Sequence, residues 1–123
     1  MTPLHIIDLG LTPTGKEDEY NPRKEYKLTK TGAYNLAHFL GLDAQSILAN
    51  KMVQLTPATV EDFLIFHAFN QKRKFVIIVQ KKDGDEVTRE HYVTDDKEEA
   101  IFSKNAGNYV IPNIAVLLTH SIH

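Results

Sequence analysis

The chain has 123 residues, a formal net charge of −2, 42% hydrophobic and 24% charged residues, and no cysteine. That size and apolar share describe one soluble globular domain, residues 1–123, and the missing thiols exclude disulfides, thiolate metal sites and cysteine nucleophiles. The longest uninterrupted apolar runs are only a handful of residues, as in Phe75–Val79, and no basic-then-apolar leader opens the sequence, so a cytoplasmic protein without a membrane partner is expected.

Pro3 to Leu11 reads as a first strand, because Leu4, Ile6, Ile7 and Leu9 put apolar groups on both faces. Residues 12–25 carry two prolines, a glycine and mixed charge, and read as a long loop. Thr29 is a helix cap, Ala33, Leu36, Ala37 and Leu40 form one apolar stripe, and Gly41 is a stop signal. Asp43 offers a cap for a second helix to about Gln54, with Ile47, Leu48, Met52 and Leu55 inside; a strand is the alternative there. Thr56-Pro57 opens a third helix to about Gln71 that is apolar around most of its circumference.

Lys74–Lys82 and Glu86–Val93 read as a hairpin closed at Asp83-Gly84. Asp95 to Glu98 forms an acidic capping box for a short helix with Ala100, Ile101 and Phe102, ending near Gly107. Tyr109 to Thr119 reads as the last strand, with regular pairing starting at Ile114 because Pro112 has no N–H to donate. The expected fold class is α+β: a four-stranded, largely antiparallel sheet with about four helices packed on it, in the order β-α-α-α-β-β-α-β.

Charge is unevenly spread. Residues 1–19 sum to −3, residues 20–82 to +6 and residues 83–123 to −5, and no carboxylate lies between Phe63 and Lys82. One reading is a bipolar surface with a basic patch for phosphates and an acidic face for a basic partner. The other is a set of solvated loop and edge residues whose fields cancel within roughly 8–10 Å.

Within Leu28–Ile47, Ala37 on a first helix, Gly41 in a turn, Leu42 after it and Ile47 beyond resemble the helix-turn-helix segment of small DNA-binding regulators. The Leu28-Thr29-Lys30 opening with Gly32-Ala33 is also similar to segments in small phage and mobile-element proteins. The first resemblance implies that Gln45, Ser46 and Lys51 face a DNA groove. Asn50 departs from it, standing where that pattern wants an apolar residue.

Catalytic signals are thin. His5, His38, His67, His91, His120 and His123 include no i, i+4 pair of the kind that binds zinc on a helix. Glu61-Asp62 and Asp95-Asp96 lie in predicted first turns, where carboxylates favour the helix dipole. Glu25-Tyr26-Lys27 with Asp8 fits a fragment of a metal-dependent nuclease site, and no serine occupies a nucleophile elbow. No catalytic residue, metal or cofactor is therefore assigned.

The expected function is a non-catalytic binding module that acts on nucleic acid, or on a protein that handles it, through a basic surface. Its contacts are Arg23, Lys24, Lys27, Lys30, Gln45, Ser46, Lys51, Lys72, Arg73 and Lys74. Tyr20, Tyr26 and Tyr34 interleave with the first of these cations, a mixture suited to partner contacts or to base stacking. The alternative is a protein-only inhibitor or adaptor that docks the acidic face at residues 83–99, with Glu86, Glu90, Asp95 and Asp96, on a basic partner. An exposed strand also leaves room for a homodimer.

Overall fold

The computed structural model describes residues 1–17 and 22–121. It is α+β, but the strands form two antiparallel sheets where one was expected. Contacts gather into two compact units, His5–His67 and Met1–Leu4 with Ala68–His123.

The expected first strand is broken. Pro3 pairs within β1 (Thr2–Pro3) and Leu11 begins β2 (Leu11–Glu17), while Ile6–Leu9 closes a 3-10 turn that ends on Gly10 at φ 89°. The His5–His67 unit holds β2, β3 (Lys24–Leu28), α1 (Lys30–Leu40), β4 (Met52–Leu55) and all but the last residues of α2 (Pro57–Asn70). Its sheet runs β2-β3-β4. Much of the expected loop at 12–25 is strand, because Thr12 and Pro13 pair with Lys27 and Tyr26. Pro13 and Gly15 lie in β2, an edge strand, where a missing donor and an irregular register are tolerated.

Helix α1 forms where its signals lie. The Thr29 hydroxyl accepts from the Gly32 N–H at 3.1 Å. Gly41 closes the other end at φ 71°, with its N–H on the His38 carbonyl and the Leu42 N–H on Ala37. That double bond pattern satisfies the last carbonyls and turns the chain back.

The second helix does not form. Asp43 caps as expected, accepting from the Gln45 N–H at 3.3 Å, but the cap serves one 3-10 turn, Ala44–Ser46. Ile47 is then extended and buried, while Leu48 and Met52, expected inside, are exposed. Met52 to Leu55 alternates exposed and half-buried, the period of a strand, and pairs with β3. Asn50 makes the switch: at φ 67° it lets Asn50 and Lys51 both face Leu28, whose N–H donates to Lys51 and whose carbonyl accepts from Asn50.

The core of this unit is made of Leu9, Leu11 and Leu28, the Ala33, Leu36 and Ala37 stripe of α1, and Phe63 and Leu64 of α2, all buried. Phe39 stacks on Phe63 with centroids 5.1 Å apart.

The other unit is built on the sheet β1-β6-β5-β7, with β5 at Phe75–Asp83, β6 at Glu86–Thr94 and β7 at Tyr109–Pro112. The β5–β6 hairpin keeps full register from Phe75 with Thr94 to Asp83 with Glu86. Gly84, at φ 61°, takes the first loop position, where a two-residue hairpin wants a positive φ. Helix α3 spans Lys97–Asn105.

The last expected strand is half strand, half helix. Tyr109–Pro112 pairs with Ile78–Phe75, Pro112 included, because β7 is an edge strand and the absent N–H points away from the ladder. Asn113 then opens α4 (Ile114–Ser121) in place of continued pairing. Its N–H donates to the Lys74 carbonyl, its side-chain amide to the Phe69 and Arg73 carbonyls at 3.2 and 2.9 Å, and its carbonyl accepts from Leu117.

Candidate functional site

The first turn of α1 is held in place by backbone. Gly10 O accepts from the Thr29 N–H at 3.0 Å, and Asn35 donates to the Leu9 carbonyl at 3.1 Å. This anchoring fixes which way Lys30 and Tyr34 face. They stand four residues apart, one turn above the other on the same side of the helix.

Beside them runs the returning segment after Gly41. Lys30, Ala33 and Tyr34 form one wall of an open hollow of about 520 Å³, and Ala44, Gln45, Ile47, Leu48 and Ala49 form the other. Ile47 anchors that segment in the core, and three alanines leave the space between the walls. Lys30 is the one charged side chain in the lining. Tyr34 is 55% exposed and Leu48 69% exposed, so an aromatic and an aliphatic residue lie open at the rim.

Two more lysines belong to the same corner. Lys27 is the register partner of Met52, and the Lys51 carbonyl accepts from the Leu28 N–H, so Lys27 and Lys51 flank the β3–α1 junction that leads into Lys30. All three are exposed, and none forms an ion pair with another described residue.

This chain matches no protein-family model, no curated protein and no solved structure.

The other expected contacts are placed as follows. Arg23 and Lys24 are exposed at the start of β3, and each makes contacts of its own. Gln45 lines the hollow; Ser46 is exposed beside it and does not. Lys72, Arg73 and Lys74 lie in the other unit, in the link from α2 to β5. Lys72 adopts φ 65°, and the Arg73 guanidinium is ion-paired to Asp95 at 3.1 Å. Tyr26 is only 6% exposed, on the inner side of β3, so its ring is closed to a partner. Tyr20 and His123 lie outside the described residues.

The acidic candidates have work inside their own unit. Asp95 was expected to begin the cap of α3, but Asp96 takes that role, accepting from the Glu98 N–H at 2.9 Å. Asp95 turns to the Lys74 N–H at 2.9 Å and to Arg73, and these partners, the backbone donor first, hold its carboxyl below the usual range. Glu90 accepts from the Tyr92 hydroxyl and from Lys81 at 3.0 Å, which lowers its pKa as well. Glu86 pairs in register with Asp83 at the hairpin end. Alternation puts Lys81, Asp83, Glu86 and Glu90 on one ribbon face and Gln80, Lys82 and Arg89 on the other, where Arg89 sits over the Tyr109 ring.

The residues of the nuclease fragment lie on two elements, Asp8 in the 3-10 turn and Glu25 and Lys27 on β3. The Glu25 carboxylate accepts from the Thr14 hydroxyl of β2 at 2.9 Å, and Lys27 lies on the same face of β3. No group of three or more His, Asp or Glu among the described residues is placed to hold a metal ion, and no described helix is long and apolar enough to cross a membrane.

Sequence reasoning named Lys30 and Gln45 but put the latter on a helix, and it noted Tyr34 only as an aromatic among cations. The signal for the hollow was present in Ala33, Ala44 and Ala49. These small residues acquire meaning only once the chain doubles back at Gly41.

Proposed function

We propose that this chain is a non-catalytic binding module that takes the phosphate backbone of a nucleic acid on the corner formed by Lys27, Lys30 and Lys51. The observation that carries the reading is their placement: two exposed cations of the β3–α1 stretch and one from the segment leading into β4 flank a single strand–helix junction, and none is ion-paired to a described carboxylate. Lysines free of ion pairs on a fixed backbone attract phosphate and release counterions when they bind it. The helix-turn-helix resemblance adds no support, because Gln45, Ser46 and Lys51 do not share a second helix.

Fluorescence anisotropy with a labelled oligonucleotide across a salt series tests the reading. Affinity should fall steeply as salt rises. Replacing Lys27, Lys30 and Lys51 by Gln should flatten the log–log slope by about 2 to 3, since each phosphate neutralised by a lysine adds ~0.7–0.9 to it. A slope unchanged in that triple variant overturns the assignment of the surface. An adaptor docking through Glu86, Glu90, Asp95 and Asp96 predicts instead a salt-sensitive complex with a basic protein that survives the triple variant. That reading is weakened by the internal partners of three of these carboxylates.

A further inference from the structure

We infer that the hollow between α1 and residues 44–49 is a seat for one nucleotide of a single strand, its base stacked on Tyr34 and its phosphate held by Lys30. The inference rests on the proposed nucleic-acid reading and adds the class of ligand. Four features of the hollow support it.

The first is shape. A volume of about 520 Å³ lies within the range of small-ligand clefts, and the alanines at 33, 44 and 49 keep the space between the walls open. The second is the half-exposed Tyr34 ring at the rim. An aromatic left exposed on a helix keeps apolar surface in water that a stacked base covers, and any base has a π-face to offer.

The third is the order of chemistry along the wall. Lys30 stands one helical turn from Tyr34, and a cation beside a stacking ring matches the spacing of phosphate and base within one nucleotide. Lys27 and Lys51 flank the β3–α1 junction that leads into Lys30 and add positive charge for neighbouring phosphates. The fourth is Gln45, whose amide both donates and accepts and so can meet the edge of a base that is not paired.

These features favour a single strand over two alternatives. A base inside a duplex hides its face in the stack and cannot reach Tyr34. An acidic peptide would use Lys30, but the lining comes from α1 and the segment after it and holds no strand edge to which an extended peptide could add.

The test uses the full chain with labelled single-stranded oligonucleotides, the matching duplex and a poly-glutamate peptide at low salt. The expected result is tighter binding of the single strand, an affinity loss of about tenfold in Tyr34→Ala, and retention of affinity in Tyr34→Phe, which keeps the ring. Because Tyr34→Ala removes stacking and leaves every lysine in place, its salt slope should match that of the unaltered chain, whereas Lys30→Gln should lower the slope by about 1. Amide chemical-shift changes on oligonucleotide titration should centre on Ala33, Ala44 and Ala49; they locate the site without any substitution.

If Tyr34→Ala binds the single strand within twofold of the unaltered chain while the triple lysine variant loses it, the nucleotide seat is overturned and the basic corner stands. If the unaltered chain binds neither oligonucleotide, both fall together. Preference for the duplex, or for the peptide, overturns the ligand class.

Discussion

Gly10 and Gly32 meet backbone to backbone. A methyl group on Gly32 would lie 2.2 Å from the Gly10 carbonyl oxygen, and one on Gly10 would lie 2.2 Å from the Gly32 nitrogen. No other residue type fits either position, so the 3-10 turn before β2 and the first turn of α1 are locked in register. That lock determines where Lys30 and Tyr34 stand.

Gly32→Ala should therefore destabilise the His5–His67 unit by about 3 kcal/mol, although alanine ordinarily favours a helix, because the clash is with main chain that cannot rotate away. Urea unfolding followed by circular dichroism measures the loss. Thr29→Ala, which removes only the cap, should cost about 1 kcal/mol.

Asn50 predicts an asymmetry between two substitutions. Asn50→Gly should be tolerated within a few tenths of a kcal/mol, since glycine accepts φ 67° without strain. Asn50→Val should cost about 1–2 kcal/mol, because a β-branched side chain resists the left-handed region and the Lys51–Leu28 pairing depends on it. Comparing the two denaturation midpoints checks the claim. Equal midpoints would contradict a backbone role for this residue.

Asn113 is 5% exposed and bonds to both sides of the α2–β5 link. Asn113→Ala leaves the Phe69 and Arg73 carbonyls without that donor and should cost about 2 kcal/mol. Asn113→Asp should be at least as damaging, since a carboxylate cannot donate to a carbonyl. Thermal melts of the two variants test both statements.

Acid should weaken the fold in two stages. Burial lowers the His67 pKa from its ordinary 6.5, against an opposing pull from Asp8, so the unfolded chain takes up this proton first. Stability is therefore highest above that value and declines as pH falls from it towards the lower folded value. Asp95 has the same sign at lower pH. Its contribution is present above the ordinary carboxylate value of 3.8 and is lost as pH falls through its depressed folded value, by a small amount because the group is solvent-screened. His67→Gln should flatten the first stage and Asp95→Asn the second in urea midpoints measured across pH.

The elements that local chemistry specifies were readable from the residues. Thr29 and Gly41 bound α1, Thr56-Pro57 opens α2, and Gly84 closes the β5–β6 hairpin, because caps and turns satisfy backbone groups using residues a few positions away. The cations at 27, 30 and 51 could likewise be counted and named.

Tertiary structure decided the rest, where local signals were balanced. Residues 43–55 carry both a helix cap and a strand alternation, and pairing with β3 settled Met52–Leu55 in favour of the strand. Residues 109–119 read as one strand until Asn113 found the Phe69 and Arg73 carbonyls and turned the chain into α4. The division of the strands into two sheets, the burial of Tyr26 and the hollow beside Tyr34 have the same origin. Each depends on partners distant in sequence, whose hydrogen bonds and excluded volume outweigh the few tenths of a kcal/mol by which propensity favours one local form over another.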